Sequence, residues 1–154
     1  MLCLFVSAGT ERFAVPAAAV IEVVPAVRLH PLAGGPRWVA GVFVFRGAVT
    51  PVLDLNQLVT GTACPDKLSA RIVVVGHATD DGPAPLGLLA ERVTELKPLA
   101  ATGAGSARRQ ETDGPDLGPL VADADGMLRL PDVSRLVPAA YRSALFARRG
   151  GPAP

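Results

Sequence analysis

The chain has 154 residues and a mass of 15.8 kDa, which is the usual size of a single domain. Hydrophobic residues make up 49% of it and charged residues 19%, a balance that fits a globular protein and excludes global disorder. The net charge of +1 leaves no electrostatic basis for binding nucleic acid or a membrane surface.

The N-terminal segment does not have the pattern of a targeting or membrane sequence. It lacks a basic lead, and Glu11 and Arg12 follow its apolar run closely. No uncharged stretch reaches the roughly 18 residues of a membrane span. Cys3 and Cys64 are isolated and form no CxxC pattern, so the sequence predicts neither a disulfide nor a metal site. We therefore expect a cytoplasmic protein without direct membrane insertion.

Strand patterns fill most of the chain. β-branched and apolar runs alternate with turn residues, which is typical of antiparallel hairpins. The clearest hairpin spans residues 38–55 and turns at Arg46-Gly47. The other predicted strands cover residues 2–6, 13–15, 19–24, 72–76, 86–96, 117–122 and 127–130.

Helical patterns are short and lie mainly at the end of the chain. Asp54 is predicted to be the N-cap of a brief helical turn. From Pro131 onwards the apolar residues recur at helical spacing, which predicts a short C-terminal helix. Residues 98–116 have the composition of a long surface loop. We expect one domain over residues 1–148, followed by a disordered tail at 149–154.

The chain repeats itself weakly. In each copy a strand precedes a hairpin that ends in an aspartate at the start of a helical turn. The first copy has Val20, Gly41 and Asp54, and the second has Val93, Gly118 and Asp132. The simplest physical account is two similar small barrels packed into one unit, since each lacks enough core to stand alone. Chance similarity between hairpin sequences is the alternative.

No catalytic signature is present in the sequence. His30 and His77, the only histidines, are interpreted as surface or turn residues rather than as ligands or bases. Helix capping accounts for Asp54 and Asp132 better than an acid–base pair does. The arginine pairs at 108–109 and 148–149 are interpreted as solvated charge. We expect no enzymatic activity, no metal and no cofactor.

Glu22 and Arg46 are the most informative charges, because each stands alone in an otherwise apolar strand or hairpin. One interpretation is that both point to solvent at strand edges. The other is that their strands are adjacent and the two charges pair, flanked by Val20, Val42 and Val44. Such a pair would form the polar centre of an apolar docking surface for a partner helix.

At these positions the chain resembles the CheW family of chemotaxis coupling proteins. The specific part of the resemblance is the segment from Arg46-Gly47 through Pro51 to Asp54-Leu55, and the likeness extends over roughly residues 1–137. The opening residues and the segments at 117–121 and 136–146 are similar to coupling proteins of Wsp-type surface-sensing pathways, whose output is a diguanylate cyclase.

This resemblance implies a mainly β fold of two intertwined five-stranded SH3-like barrels with a short C-terminal helix. It implies a non-enzymatic adaptor between the cytoplasmic tip of a chemoreceptor and the regulatory domain of a CheA-type histidine kinase, located at receptor arrays. Val20, Glu22 and Arg46 fall at receptor-contacting positions of the family. The full set of expected partner-binding residues is Val20, Glu22, Val42, Val44, Arg46 and Gly47.

The chain departs from the family pattern at four places. Val44 and Phe45 replace the usual Asn and Leu, Glu91 replaces an Asp, and Pro131 replaces a Leu. The main alternative is a module of the same fold that scaffolds a response regulator or a diguanylate cyclase without binding a receptor. An enzyme of unrecognised type and a single-strand nucleic-acid binder are weaker alternatives.

Overall fold

A computed structural model describes residues 1–100, 103–104 and 114–146 of the chain. The predicted tail at 149–154 and both arginine pairs lie outside the described residues, as does most of the predicted loop at 98–116. Within the described part, no helix is long and apolar enough to span a membrane.

The fold is mainly β, as predicted. The strands are β1 (Leu2–Ala8), β2 (Glu11–Pro16), β3 (Val20–Pro25), β4 (Val39–Phe45), β5 (Ala48–Asp54), β6 (Arg71–Thr79), β7 (Gly82–Ala90), β8 (Arg92–Pro98), β9 (Gly103–Ala104), β10 (Leu120–Asp123) and β11 (Gly126–Arg129). The α-helices are α1 (Leu55–Thr60) and α2 (Ala139–Phe146), and short 3₁₀ helices cover Ala17–Ala19 and Val133–Arg135.

The strands form two sheets of matching topology. The first has the order β8-β1-β2-β11-β10, extended by the two-residue β9, and the second has the order β3-β6-β7-β5-β4. In each sheet the third and fourth strands are parallel and all other pairs among these five are antiparallel. These are the two SH3-like barrels that the sequence predicts, and we call them the first and second barrels.

The two barrels are intertwined along the chain. Strands β3 to β7 follow one another and form the second barrel, whereas the first barrel combines the N-terminal hairpin β1–β2 with β8, β10 and β11. The sequence repeat falls on equivalent strands, since Val20 lies in β3 and Val93 in β8, which are the corresponding edge strands. The N-terminal hairpin therefore completes a barrel whose other strands follow the second barrel in the sequence.

The largest apolar cluster, the inter-barrel core, lies between the two barrels. It combines residues of the first barrel, such as Val6 and Phe13, with residues of the second, such as Val75 and Leu86. Two smaller clusters fill the barrel interiors, one around Phe5 and Leu128 and the other around Phe45, Val52, Ile72 and Val74. Because both barrels bury one face against the other, neither has a complete core of its own.

Two predictions about individual elements are wrong. The single strand predicted at 86–96 is two strands that break at Glu91, where the chain passes from the second barrel to the first. At this break the Glu91 backbone N–H donates to the Ser7 carbonyl, 3.0 Å away. His77 is not a surface or turn residue, because it lies inside β6 and is fully buried.

Candidate partner-docking surface

The turn between β4 and β5 presents Arg46 to solvent. Phe45 pairs with Ala48, so the loop contains only Arg46 and Gly47, with φ angles of 48° and 79°. Two positive φ angles in a two-residue loop are those of a type I′ turn, whose twist matches that of a hairpin. Among the described residues Arg46 is the only non-glycine residue with positive φ. The turn therefore holds this guanidinium at the tip of the hairpin.

Glu22 lies on β3 beside a β-bulge. Val20 pairs with Val75 and Glu22 with Val74, so Ile21 is the extra residue of the bulged strand. Because directly opposite residues share a face of the sheet, Val20 turns towards the inter-barrel core and Glu22 towards the interior side of the second barrel. Val20 therefore does not flank Glu22, and its role as a partner contact stays a prediction.

Glu22 and Arg46 form the predicted ion pair, with 2.9 Å between Arg46 Nη2 and Glu22 Oε1. The expectation that their strands are neighbours in the ladder is wrong, because β3 and β4 are the two edge strands of the sheet. The charges meet because the sheet curls into a barrel and brings its edges together. The guanidinium also lies 5.0 Å from the centre of the Phe45 ring, which it partly covers.

This ion pair contributes little to stability. The side chains of Arg46 and Glu22 are 63% and 44% exposed, and exposed pairs typically contribute about 0–1 kcal/mol. Among the described residues the Arg46 side chain makes one hydrogen bond, to Glu22, so most of its donors face solvent. The pair is therefore oriented by the fold yet remains available to a partner.

We call the place where the two edge strands of a barrel come together its seam, and the cation at the seam of the first barrel is paired with more carboxylates than Arg46 is. There Lys97 of β8 lies 2.8 Å from a carboxylate oxygen of Glu95 and 3.4 Å from one of Asp125, at the tip of the β10–β11 hairpin. The side chain of Lys97 is also only 34% exposed. Of the two seams, the one in the second barrel leaves the more accessible cation.

Exposed apolar side chains surround the Arg46 turn. Val44 and Val49 are directly opposite each other on the outer face of β4 and β5, and they are 69% and 55% exposed. On β3, Ile21 and Val23 are also exposed. Val49 is not among the partner-binding residues that the sequence predicts, although the two-residue turn fixes the register that places it opposite Val44.

A groove continues from these residues towards α2. It has a volume of about 490 Å³, and Val42 and Val49 line one side of it. The other lining residues are His30, Pro31, Leu32, Ala33, Ala144 and Leu145. We call the set Glu22, Val42, Val44, Arg46, Gly47 and Val49 the docking surface.

The two repeated aspartates are helix caps, as predicted. Asp54 is buried, and its two carboxylate oxygens accept hydrogen bonds from the backbone N–H groups of Gln57 and Cys64 at 3.1 and 2.9 Å. Asp132 accepts from the N–H of Ser134 at 3.2 Å. Nowhere in the described part of the chain do three or more His, Cys, Asp or Glu side chains cluster as metal ligands would.

Comparison with known proteins identifies one family and one fold. The family described as "CheW-like domain" matches residues 2–140. Among solved structures, the chain is similar to the scaffolding protein TtCheW from Thermoanaerobacter tengcongensis, with a TM-score of 0.66 and 20% identity. That similarity covers 84% of this chain and 86% of the other. No curated protein matches the chain.

Proposed function

The chain belongs to the CheW-like family, and we propose that it is a non-enzymatic adaptor linking the cytoplasmic tip of a chemoreceptor to the regulatory domain of a CheA-type histidine kinase. The family match covers nearly the whole chain and supports a scaffold role in chemotaxis signalling. The adaptor would act in the cytoplasm, at membrane-associated receptor arrays.

One observation carries the assignment of the receptor-binding region. The Arg46–Glu22 pair lies exposed at the closing seam of the second barrel, beside the exposed pair Val44 and Val49. Small protein interfaces depend on a few anchors of this kind, with apolar contacts around a central charged group. A receptor tip is a helical hairpin, and an apolar surface with one oriented guanidinium fits a partner helix that carries an acidic side chain.

The test reverses the charge at the turn. Arg46→Glu should weaken co-sedimentation with receptor-tip fragments about tenfold or more, because it removes the guanidinium and places a second carboxylate beside Glu22. The melting temperature should change by no more than about 4 °C, since an exposed pair contributes under about 1 kcal/mol. Binding is measured by sedimentation with and without the kinase, and stability by circular dichroism.

Two further variants make this test specific. Arg92→Glu makes the same charge change on β8, the equivalent edge strand of the first barrel, and should leave receptor binding unchanged. The double variant Glu22→Arg with Arg46→Glu restores an ion pair with reversed polarity and should not restore binding. Normal binding by Arg46→Glu, or full recovery in the double variant, contradicts a direct contact between Arg46 and the receptor.

We further propose that the adaptor acts in a surface-sensing pathway with a diguanylate cyclase as output. The support for this is the likeness of the opening residues and the C-terminal segments to Wsp-type coupling proteins. Deleting the gene should then change cyclic di-GMP in surface-grown cells and leave swimming motility intact. Loss of swimming motility with unchanged cyclic di-GMP contradicts the surface-sensing proposal but leaves the proposed adaptor role standing.

A further inference from the structure

His77 joins β6 to the segment that leads into α2. The Val137 backbone N–H donates to His77 Nε2 at 2.9 Å, so this nitrogen is an acceptor and carries no proton. The other ring nitrogen, Nδ1, lies 2.8 Å from the Ala78 carbonyl oxygen and therefore carries the proton that it donates. The two partners thus require a neutral imidazole in a single tautomer, in a side chain that is fully buried.

The helix that follows packs against the inter-barrel core only through partly buried side chains, those of Tyr141, Leu145 and Phe146. Phe146 stacks on the His77 ring with 5.2 Å between ring centres, and Tyr141 packs edge-on against Trp38 at 5.2 Å. All eight residues of α2 are described, and none of them is buried. An element with so little buried surface can detach at a lower free-energy cost than the barrels require to unfold.

The charged groups around His77 come from three elements. Arg142 of α2 donates from Nε to the Val137 carbonyl at 2.8 Å, and its positive charge disfavours a second one nearby. Asp132, before the second 3₁₀ helix, favours protonation. Asp80 and Asp81 of the β6–β7 turn line an adjacent cleft together with Arg135 and Arg142.

Burial of the His77 ring affects its pKa more than these charged groups do. It is the main cause that lowers the pKa of His77 below its ordinary value, and Arg142 adds to the lowering, whereas the hydrogen bond to Ala78 and the charge of Asp132 oppose it. The ring is therefore neutral at pH 7. The unfolded chain takes up this proton below about pH 6.5, where the folded chain resists it, so acid favours opening of the site.

We propose that α2 is a pH-dependent latch that protonation of His77 releases from the barrels. A protonated ring carries N–H groups on both nitrogens, so its Nε2–H would face the Val137 N–H donor and the bond between them must break. Release removes Phe146 from the ring, Tyr141 from Trp38 and Leu145 from the groove beside Val42. The evidence for this latch does not depend on the proposed adaptor function.

The chain contains its own reporter of this event. Trp38 is the only tryptophan, and its ring packs against Tyr141 of α2. On acidification from pH 8 to 5, tryptophan emission should shift to the red with a midpoint below about 6.5, while the far-ultraviolet circular dichroism of the strands is retained. His77→Gln, which keeps an acceptor for Val137 but does not titrate, should abolish the shift. His30→Gln is the matched control and should keep it.

Several outcomes overturn the latch: no emission shift down to pH 5, the same shift in His77→Gln, or loss of strand signal together with the shift. If His77→Gln does not fold, nuclear magnetic resonance of the wild-type ring decides the matter. A His77 ring that titrates with the same midpoint as the Trp38 emission supports the latch. A ring that stays neutral across the emission shift refutes it.

Discussion

Arg12 of β2 and Asp123 of β10 connect two strands that are far apart in the sequence through a bidentate ion pair. The guanidinium donates to both carboxylate oxygens, at 3.0 and 2.7 Å, across a sequence separation of 111 residues. The Asp123 side chain is only 6% exposed, and the hydrogen bonds from Arg12 are the main cause that lowers its pKa to about 2. Unlike the exposed Arg46–Glu22 pair, this one has the geometry and burial that stabilise a fold.

We expect Asp123→Asn to lower the free energy of unfolding at pH 7 by about 1.5–3 kcal/mol, the usual contribution of hydrogen bonds to charged groups. The pKa of Asp123 is depressed in the folded chain, so its contribution is fully present above about pH 4 and is lost as the pH falls towards 2. Urea titrations of both chains at pH 7 and at pH 2.5 should show a difference that shrinks in acid.

Asp125→Asn is the matched control for this variant. Asp125 lies in the same turn, but its side chain is 64% exposed and its carboxylate lies 3.4 Å from Lys97. We expect it to change stability by less than about 0.5 kcal/mol. Equal losses for the two variants would mean that the charge of the turn matters rather than the bonds from Arg12.

The sequence predicts one of these two ion pairs and not the other, for a physical reason. Glu22 and Arg46 are lone charges in apolar segments, so each has a single plausible partner. Arg12 follows Glu11, and Asp123 is close to Asp125, so the sequence offers several pairings for each. Only the parallel pairing of β2 with β11 selects the right one.

At the scale of the elements, Gly41 and Gly47 stabilise the β4–β5 hairpin in different ways. A Cβ atom on Gly47 would meet nothing within 4 Å, so only its φ of 79° excludes other residues. Gly41 also has a positive φ, of 149°, and in addition a Cβ on it would lie 2.6 Å from the His30 carbonyl oxygen and 2.9 Å from Leu29 Cβ. Residues 26–38, which join β3 to β4 and which we call the crossing segment, pair with β4 at this point through two hydrogen bonds of 2.9 Å between His30 and Val42.

Gly47→Ala should therefore destabilise the chain by about 1–2 kcal/mol, the cost of a left-handed residue with a Cβ. Gly41→Ala should cost about 1–3 kcal/mol more, because the backbone of the crossing segment must also move. Guanidinium chloride titrations of the two variants measure both values. A larger loss for Gly47→Ala would mean that the crossing segment moves away at little cost.

The elements that the sequence predicts best are those that local chemistry determines. The Arg46-Gly47 turn and the Asp54 cap follow from backbone preferences within a few residues. The break at Glu91 does not, because the residues before it form an apolar run and those after it alternate between polar and apolar, and both patterns are typical of strands. That break is made by distant groups, since Glu91 Oε1 accepts from the Gly9 N–H at 3.3 Å and the Glu91 carbonyl accepts from Ser69 Oγ at 2.8 Å.

At the scale of the whole molecule, the repeat in the sequence corresponds to two barrels, but it does not reveal how the first one closes. Hairpin patterns carry no information about which distant hairpin they pair with, and the N-terminal hairpin has no partner nearby in sequence. Its place in the first barrel follows from the inter-barrel core, to which Val6 and Phe13 contribute beside residues of the second barrel. Burial of that shared surface is what makes the intertwined arrangement stable.

This arrangement predicts that the two barrels unfold as one cooperative unit. Val6 lies in the first barrel and Val75 in the second, and both are almost completely buried in the inter-barrel core. Val6→Ala and Val75→Ala should each lower the free energy of unfolding by about 1–3 kcal/mol. For each variant the denaturation midpoint should fall by the same amount whether unfolding is followed by Trp38 emission or by circular dichroism. Trp38 precedes β4 of the second barrel, so its response to Val6→Ala reports coupling between barrels.

A fragment provides the complementary measurement. Residues 17–91 contain all five strands of the second barrel in continuous sequence, yet their face towards the first barrel would be exposed to water. We expect this fragment to lack a cooperative thermal transition, because Leu53, Val73 and Leu88 lose the partners that bury them. A fragment that melts cooperatively, or a Trp38 midpoint that Val6→Ala leaves unchanged, would mean that each barrel folds on its own and that the shared core only holds them together.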